Sequence, residues 1–545
     1  MPALSIMLWL PAAAAAIGAL LSLVLRRRGL AKDPTRDDPL PRPVVSVSGI
    51  ASVLGALGTL GLAIAYIADY SPGSGLRHVT DVVWIAELGI HYKLGVDGLN
   101  VFLVGLTALL FAAAAIAANL RRWERPRFFY GCLMLAESAV LGALLAQDLA
   151  LFVAFFDLML IPFYFLIGVW GKEPGRVKAT LKLVIYTFVG SLLMLAAAVA
   201  TGVIAAQGNG GHLTFVLSEL KALPLSGSSQ DWIFLCFAAA FLVKMPAFPL
   251  HGWLPDGYRA MPIEALMVFS GVLSKVGAYG FLRIVLPLYP QAAVHFQTLM
   301  LLIALISILY GSVVAFTQTD ARLIAGYSSV AQLGFITLGI FALNPQGAQG
   351  ALLQMLNHGL VVAPLFFIIA LLAQRAGGSE DIREMGGIAF RAPVLAAIFL
   401  LVALATLAMP GSSNFVGEFM ILLGVFKAKL AIAVIAFAGV IIASVYALRL
   451  FIRAMHNRVG AGVDSREISI HDGLVLVPLL AVIIFMAVYP QLALKRSEGS
   501  VKGALASARQ AGAPATSAAA ERTRLSAAAT EGRVPVARAE GTLDR

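Results

Sequence analysis

The sequence predicts an all-α, polytopic membrane protein. Three observations carry this. First, 60% of the 545 residues are hydrophobic and only 13% are charged, where soluble domains carry about 25% charged residues. Second, stretches near the roughly 20 apolar residues that span a bilayer recur fourteen times. Third, Lys and Arg fall unequally on the loops between those stretches. Together they exclude a soluble enzyme, a disordered chain and a nucleic-acid binder, despite the net charge of +11.

The apolar segments lie at roughly 4–25, 46–67, 101–119, 129–147, 150–170, 180–205, 232–250, 262–285, 297–315, 322–343, 348–374, 394–425, 431–455 and 469–490. The first lacks a charged leader and a clear cleavage site, so it is expected to be an anchor rather than a removed signal peptide. Two segments contain breaks. The seventh ends in Lys244-Met245-Pro246-Ala247-Phe248-Pro249, and the twelfth is interrupted at Met409-Pro410-Gly411. Proline frees backbone carbonyls, which a membrane tolerates only where protein or water satisfies them.

Loops after odd-numbered segments, with their helix ends, hold 22 Lys and Arg; those after even-numbered segments hold six. The basic loops are therefore expected in the cytoplasm, and both termini on the outer side. Residues 496–545 are Ala-rich and lack aromatic residues, and are read as a disordered tail. Segments 4–8 and 9–13 each place a broken helix fourth among five, a pattern that points to inverted repeats. The expected organisation is thus N-terminal helices over 1–128, a first repeat over 129–285, a second over 297–455, a last helix over 456–495 and the tail.

Ionisable side chains inside membrane helices are costly, and each is a functional candidate. Here they are Glu137, Asp157, Lys182, Lys244, Lys275, His358 and Glu418. Lys244 sits at a helix break, Lys275 stands mid-helix without a charged neighbour, and Glu418 follows the second break. Lys182, close to Arg176 and Lys178, also fits a side chain reaching to the basic surface. Buried charges pair or neutralise, so moving the partner of a buried lysine releases its proton. Cys132 and Cys236 cannot form a four-ligand metal site. No nucleotide-binding loop, iron–sulfur motif or haem-spaced histidine pair is visible, so neither electrons nor ATP are expected to use this chain, and its energy is expected from an ion gradient or a partner subunit.

The motifs carry a family resemblance. Lys244-Met-Pro-Ala-Phe-Pro-Leu-His251-Gly-Trp253-Leu-Pro-Asp256 and Ser270-Gly-Val-Leu-Ser-Lys275-Val-Gly-Ala-Tyr-Gly280 resemble the antiporter-like subunits of respiratory complex I. Leu158-Met-Leu-Ile-Pro162, Gly168-Val-Trp-Gly171, Pro410-Gly411-Ser-Ser-Asn414-Phe-Val-Gly417-Glu418, Leu94-Gly-Val-Asp97-Gly-Leu-Asn100 and Tyr327-Ser-Ser-Val330 point to the M type, over about residues 80–490. The resemblance implies fourteen helices, a proton-translocating role in the membrane arm of NADH:quinone oxidoreductase, and a bacterial inner-membrane location. It implies L- and N-type neighbours, lipid around the chain, and NADH, FMN, iron–sulfur clusters and quinone in partner subunits. It also implies that Asp157 pairs with Lys244, and that Lys275 and His358 pass protons to Glu418. His251, Asp256 and Gln332 would play supporting parts.

Three positions depart from the family pattern: Asp157 replaces a usual Glu, Gln332 stands where His is common, and Gly257 to Pro262 replaces a His-x-x-Ala-Pro form. Gln332 cannot titrate, so a relay there would use water. The N type and the related multisubunit cation/proton antiporters share most of these motifs; a subunit of a multisubunit Na+/H+ antiporter or of a membrane-bound hydrogenase is one alternative, and a purely structural anchor is the alternative of another class.

Overall fold

A computed structural model describes residues 4–27, 46–73, 75–460 and 462–513. Among them, twelve helices are long and apolar enough to cross a membrane, by length and composition only. They are α1 (Leu4–Arg27), α2 (Val47–Asp69), α3 (Val101–Asn119), α4 (Pro126–Leu145), the pair α5 (Leu149–Leu158) and α6 (Leu160–Trp170) counted as one, and α7 (Arg176–Gln207). The seventh segment forms α8 (Gly227–Lys244), a turn, and α9 (Leu254–Ala260). The continuous helix Ile263–Leu288 is α10, followed by α11 (Gln297–Thr317), α12 (Ala321–Phe341) and α13 (Pro345–Arg375). The twelfth segment is split into α14 (Pro393–Thr406) and α15 (Ser413–Ala428), and α16 (Leu430–Met455) and α17 (Ile470–Val488) follow. The twelve thus match segments 1–6, 8–11, 13 and 14, while segments 7 and 12 are the broken ones.

Both breaks lie where the prolines put them. Pro246 cannot continue the α8 ladder; the chain closes by Ala247 N–H donating to the Leu242 carbonyl at 2.9 Å, and Trp253 Nε1 covers the Val243 carbonyl at 3.1 Å. Phe248 N–H turns instead to the Ser307 hydroxyl on α11, at 2.9 Å, which with Pro249 fixes the exit of the turn. In the second break Met409 N–H bonds the Leu404 carbonyl, and Gly411 takes φ +93°, a left-handed conformation that strains any residue with a side chain.

The core is built on α10, α12 and α13, whose most apolar windows are wholly buried, whereas only 28% of that of α1 and 33% of those of α2 and α16 are. The outer helices present Leu54, Ile64, Ile185, Phe188, Val434 and Ile441 outward. This is the arrangement of a membrane bundle, apolar outside and carrying its polar groups within.

Three elements differ from the sequence reading. Residues between the second and third apolar segments form an antiparallel hairpin, β1 (Arg77–Ile85) and β2 (Ile90–Val96), with Val82 opposite Tyr92. It closes one end of the bundle, where the Lys93 carbonyl accepts from Gln147 N–H at 2.9 Å. The fifth segment, expected as an unbroken helix, is interrupted at Met159 between α5 and α6; Pro162 has no N–H for the Leu158 carbonyl, so the ladder loosens there. Finally, the expectation of disorder from residue 496 fails for 496–512, which belong to α18 (Gln491–Gly512). Its buried positions Ala493, Leu494, Ser497, Val501, Ala504, Leu505 and Ala508 repeat at helical spacing. It lies across the hairpin end of the bundle: Ser500 Oγ accepts from Gly98 N–H at 3.0 Å, Gln349 Nε2 donates to the Leu494 carbonyl at 2.7 Å, and the Arg496 guanidinium donates to the Ile67 carbonyl. The rest of the expected tail lies outside the described residues.

Candidate functional site

Lys244 is the last residue of α8 and is buried. Its Nζ donates to the Phe156 carbonyl at 3.4 Å and lies 4.5 Å from the centre of the Phe156 ring. Asp157 is the carboxylate whose charge Lys244 feels, but the two make no direct ion pair. Ser191 on α7 also acts on Asp157, whose Oδ1 has no hydrogen-bond partner among the described residues. The pairing implied by the resemblance is therefore present as proximity, not contact. A cation–aromatic contact and a carbonyl hold the ammonium in this geometry.

Lys275 is buried in α10, just after a wide π turn over Phe269–Leu273. Its Nζ donates to the Ser270 carbonyl and to Ser274 Oγ, the latter at 3.3 Å. Such turns expose carbonyls that a regular helix would occupy. His358 on α13 is buried within electrostatic reach of Lys275, and its Nδ1 has no partner among the described residues. The two helices touch here backbone to backbone: a Cβ added at Gly359 would meet the Gly271 carbonyl oxygen at 2.5 Å. Only glycines allow that approach, and it brings the two side chains into one layer.

Glu418 on α15 is buried and accepts from Gln332 Nε2 on α12 at 2.6 Å and from Gln354 Nε2 on α13 at 3.2 Å. Gln354 Nε2 also donates to Gln332 Oε1 at 2.8 Å. Asn357 Nδ2 donates to the Ser413 carbonyl, 2.6 Å away at the start of α15, just past the second break. Asn357 Oδ1, Gln354 Oε1 and both polar atoms of Asn414 have no protein partner among the described residues. Gln354, Asn357 and Asn414 were not singled out from the sequence. Their signal was spacing: Gln354 stands four residues before His358, and Asn414 four before Glu418, so each shares a helix face with a titratable group.

The structure does not bring every candidate into this line. Glu137 on α4 is fully buried, and neither of its oxygens has a partner among the described residues. Lys182 pairs with Asp256 at 2.5 Å, and Lys178 reaches the same carboxylate at 3.9 Å; Lys182 is 39% exposed. It is held at the end of the bundle where the basic loops gather. His251 packs in the turn after α8 against Phe248 and Tyr310, with ring centres 5.8 Å and 4.8 Å away, and its Nδ1 is unpartnered among the described residues.

That same end carries a clamp between the two halves. Glu380, in the loop after α13, accepts from Arg322 at 2.7 Å and from Lys172. Arg322 is itself buried and donates to the Met261 carbonyl at 2.7 Å. Burial alone would push the Glu380 carboxyl up; the Arg322 and Lys172 charges outweigh it and hold the group below the usual carboxylate range.

A helical membrane bundle with two broken helices and a buried line of Lys, His, Gln and Glu defines the class of antiporter-like membrane proteins. A family described as NADH:quinone oxidoreductase/Mrp antiporter, transmembrane, matches residues 146–444, and the chain belongs to this family. It is 36% identical over 498 residues to NADH-quinone oxidoreductase subunit M of Rhodobacter capsulatus, covering 90% of this chain and 93% of the relative. It is 37% identical over 428 residues to the subunit M of Escherichia coli, covering 77% and 84%. Among solved structures, a chain of respiratory complex I from Thermus thermophilus superposes with a TM-score of 0.81 at 31% identity, covering 94% of this chain and all of that one. A chain of the Mrp complex from a Dietzia species gives 0.77 at 20% identity, covering 93% and 98%, a likeness of fold alone.

Proposed function

We propose that this chain is a proton-translocating membrane-arm subunit of an NADH:quinone oxidoreductase, M type. The observation that carries the reading is the buried polar line through the core helices: Asp157 and Lys244 at the first break, Lys275 and His358 at the α10–α13 contact, Gln332, Gln354 and Glu418 beyond the second break. Charged groups in a water-excluded bundle interact strongly, so a change of charge at one alters the protonation of the next. Lys244 and Asp157 act as the switch, Lys275 and His358 carry the proton along the midplane, and Glu418 exchanges it with the far side. Gln332 and Gln354 position the Glu418 carboxylate, and water completes the step at Gln332. Glu137, Lys182, His251 and Asp256 support the line from its edges.

In this reading the chain crosses the inner membrane of a bacterium fourteen times, the two broken segments included, with both termini outside. Residues 129–285 and 297–455 are its inverted repeats. L- and N-type subunits flank it, and NADH, FMN, iron–sulfur clusters and quinone are bound by other subunits. The test is affinity purification of the tagged chain from native membranes. Co-purification of flavin- and iron–sulfur-containing subunits with NADH:quinone activity is expected. A complex of antiporter subunits without them would overturn the assignment.

A further inference from the structure

One buried carboxylate lies outside the polar line from Asp157 to Glu418. Glu264, at the start of α10, is fully buried, and its Oε1 lies 3.0 Å from Arg121 Nε just after α3. The contact is close without being well directed, since neither carboxylate oxygen has a hydrogen-bond partner among the described residues. Arg121 is 37% exposed and forms part of the wall of a cleft of about 440 Å³ between α3, α13 and the start of α17. The pair therefore separates a water-sized cleft from a dry interior, with the arginine as the partition.

We propose that Glu264 is a proton-loading site for the Lys275 and His358 layer, gated by Arg121; this rests on the function proposed above. With Arg121 against it, the carboxylate is an ion pair. When the guanidinium swings into the cleft, an unpaired buried carboxylate is left, and taking up a proton from cleft water relieves it. The proton then passes to Lys275 once its amine has handed its own proton on, and Glu264 re-ionises and recaptures Arg121. Lys275 lies eleven residues further along α10, about 16 Å at the helical rise. Ser270 and Ser274 stand between them: their hydroxyls donate one turn back, to the Leu266 and Ser270 carbonyls, and Ser274 Oγ accepts from Lys275 Nζ.

The charged and titratable groups facing the pair are few. Tyr130 on α4 feels the Glu264 charge. Arg375, Arg466, Glu467, His471 and Asp472 line the cleft beyond Arg121. Arg375 is committed to the Leu371, Arg466 and Glu467 carbonyls, and Asp472 caps the first turn of α17 through Ser469. Neither competes with Arg121 for Glu264.

The experiment uses the whole complex in inverted vesicles, with the basic side facing the medium. Glu264→Gln keeps the shape and removes the proton acceptor. Pumping per electron is expected to fall roughly tenfold or more, more steeply as the medium is made alkaline, with Glu264→Asp restoring a substantial part. Lys275→Ala is run beside it. If Glu264→Gln pumps normally while Lys275→Ala does not, the loading site is wrong and the proposed function stands. If both pump normally, the function itself is wrong. A loss in Glu264→Gln that merely tracks the amount of assembled complex, equally at every pH, would assign the pair a structural role and overturn the proposal.

Discussion

Gly359→Ala tests whether the α10–α13 contact is what sets the Lys275 and His358 geometry. The added Cβ would stand 2.5 Å from the Gly271 carbonyl oxygen and 2.7 Å from Leu106 Cδ2. Leu106 can rotate away; the carbonyl is backbone and cannot. Cβ atoms essentially never come closer than 3.0 Å, so the helices must part by at least about 0.5 Å. Overpacking of this kind costs about 1–3 kcal/mol, of which the better helix propensity of Ala returns up to about 1 kcal/mol. A net loss of about 1–2 kcal/mol is expected in stability. The larger effect is on transfer, because a misplacement of about 1 Å can cost roughly a hundredfold in rate; half that suggests a loss of about tenfold. The control is Gly61→Ala on the exposed face of α2, where a Cβ meets nothing within 4 Å; it should be neutral or slightly stabilising. The assay pairs thermal inactivation of the purified complex with pumping per electron in vesicles. Wild-type values for both in assembled Gly359→Ala would mean that the α10–α13 contact does not set this geometry.

Two further outcomes follow from the edges of the site. Glu380→Gln removes the counter-charge of buried Arg322 and should destabilise the assembly by about 1.5–3 kcal/mol. Because the folded carboxyl is held below its ordinary range, its contribution is fully present above that range and is lost only as pH falls through the lower folded value. The stability gap between variant and wild type should therefore stay constant between pH 7.5 and 5.5, checked by thermal scans; a gap that closes in that window contradicts the clamp. Asp157→Ala should impair pumping, whereas Asp157→Glu should be tolerated, since Asp157 does not touch Lys244 directly and the longer side chain has distance to span. Wild-type pumping by assembled Asp157→Ala would remove it from the switch.

Much of the fold is legible in the sequence because lipid imposes long apolar runs on any span. Every helix matched to a segment begins and ends within a few residues of it, and both breaks fall at their prolines. The hairpin escapes because a membrane-scale hydropathy reading averages over it; its apolar residues Val79, Val82, Val83 and Trp84 are individually exposed and form no long run. The helix over 491–512 escapes because alanine and charge dominate its composition, although its apolar positions repeat every three or four residues. At the site, titratable residues stand out by charge alone, while Gln354, Asn357 and Asn414 are neutral and become visible only once α12, α13 and α15 are packed together. The interruption at Met159 has a sequence signal in Pro162, whereas the contact of Lys244 with the Phe156 carbonyl is purely tertiary. Glu264 lies at a helix start, where a carboxylate is commonplace, and only its complete burial against Arg121 distinguishes it.

If protons cross through the buried line, Lys275 is its least replaceable member. The direct measurement is the number of protons pumped per electron transferred, in inverted vesicles carrying Lys275→Ala, with assembly verified on a native gel. Electron transfer with strongly reduced pumping is expected, and Lys275→Arg should not restore it fully, because a guanidinium stays protonated. An assembled Lys275→Ala complex that pumps with the wild-type ratio would contradict a proton path through Lys275.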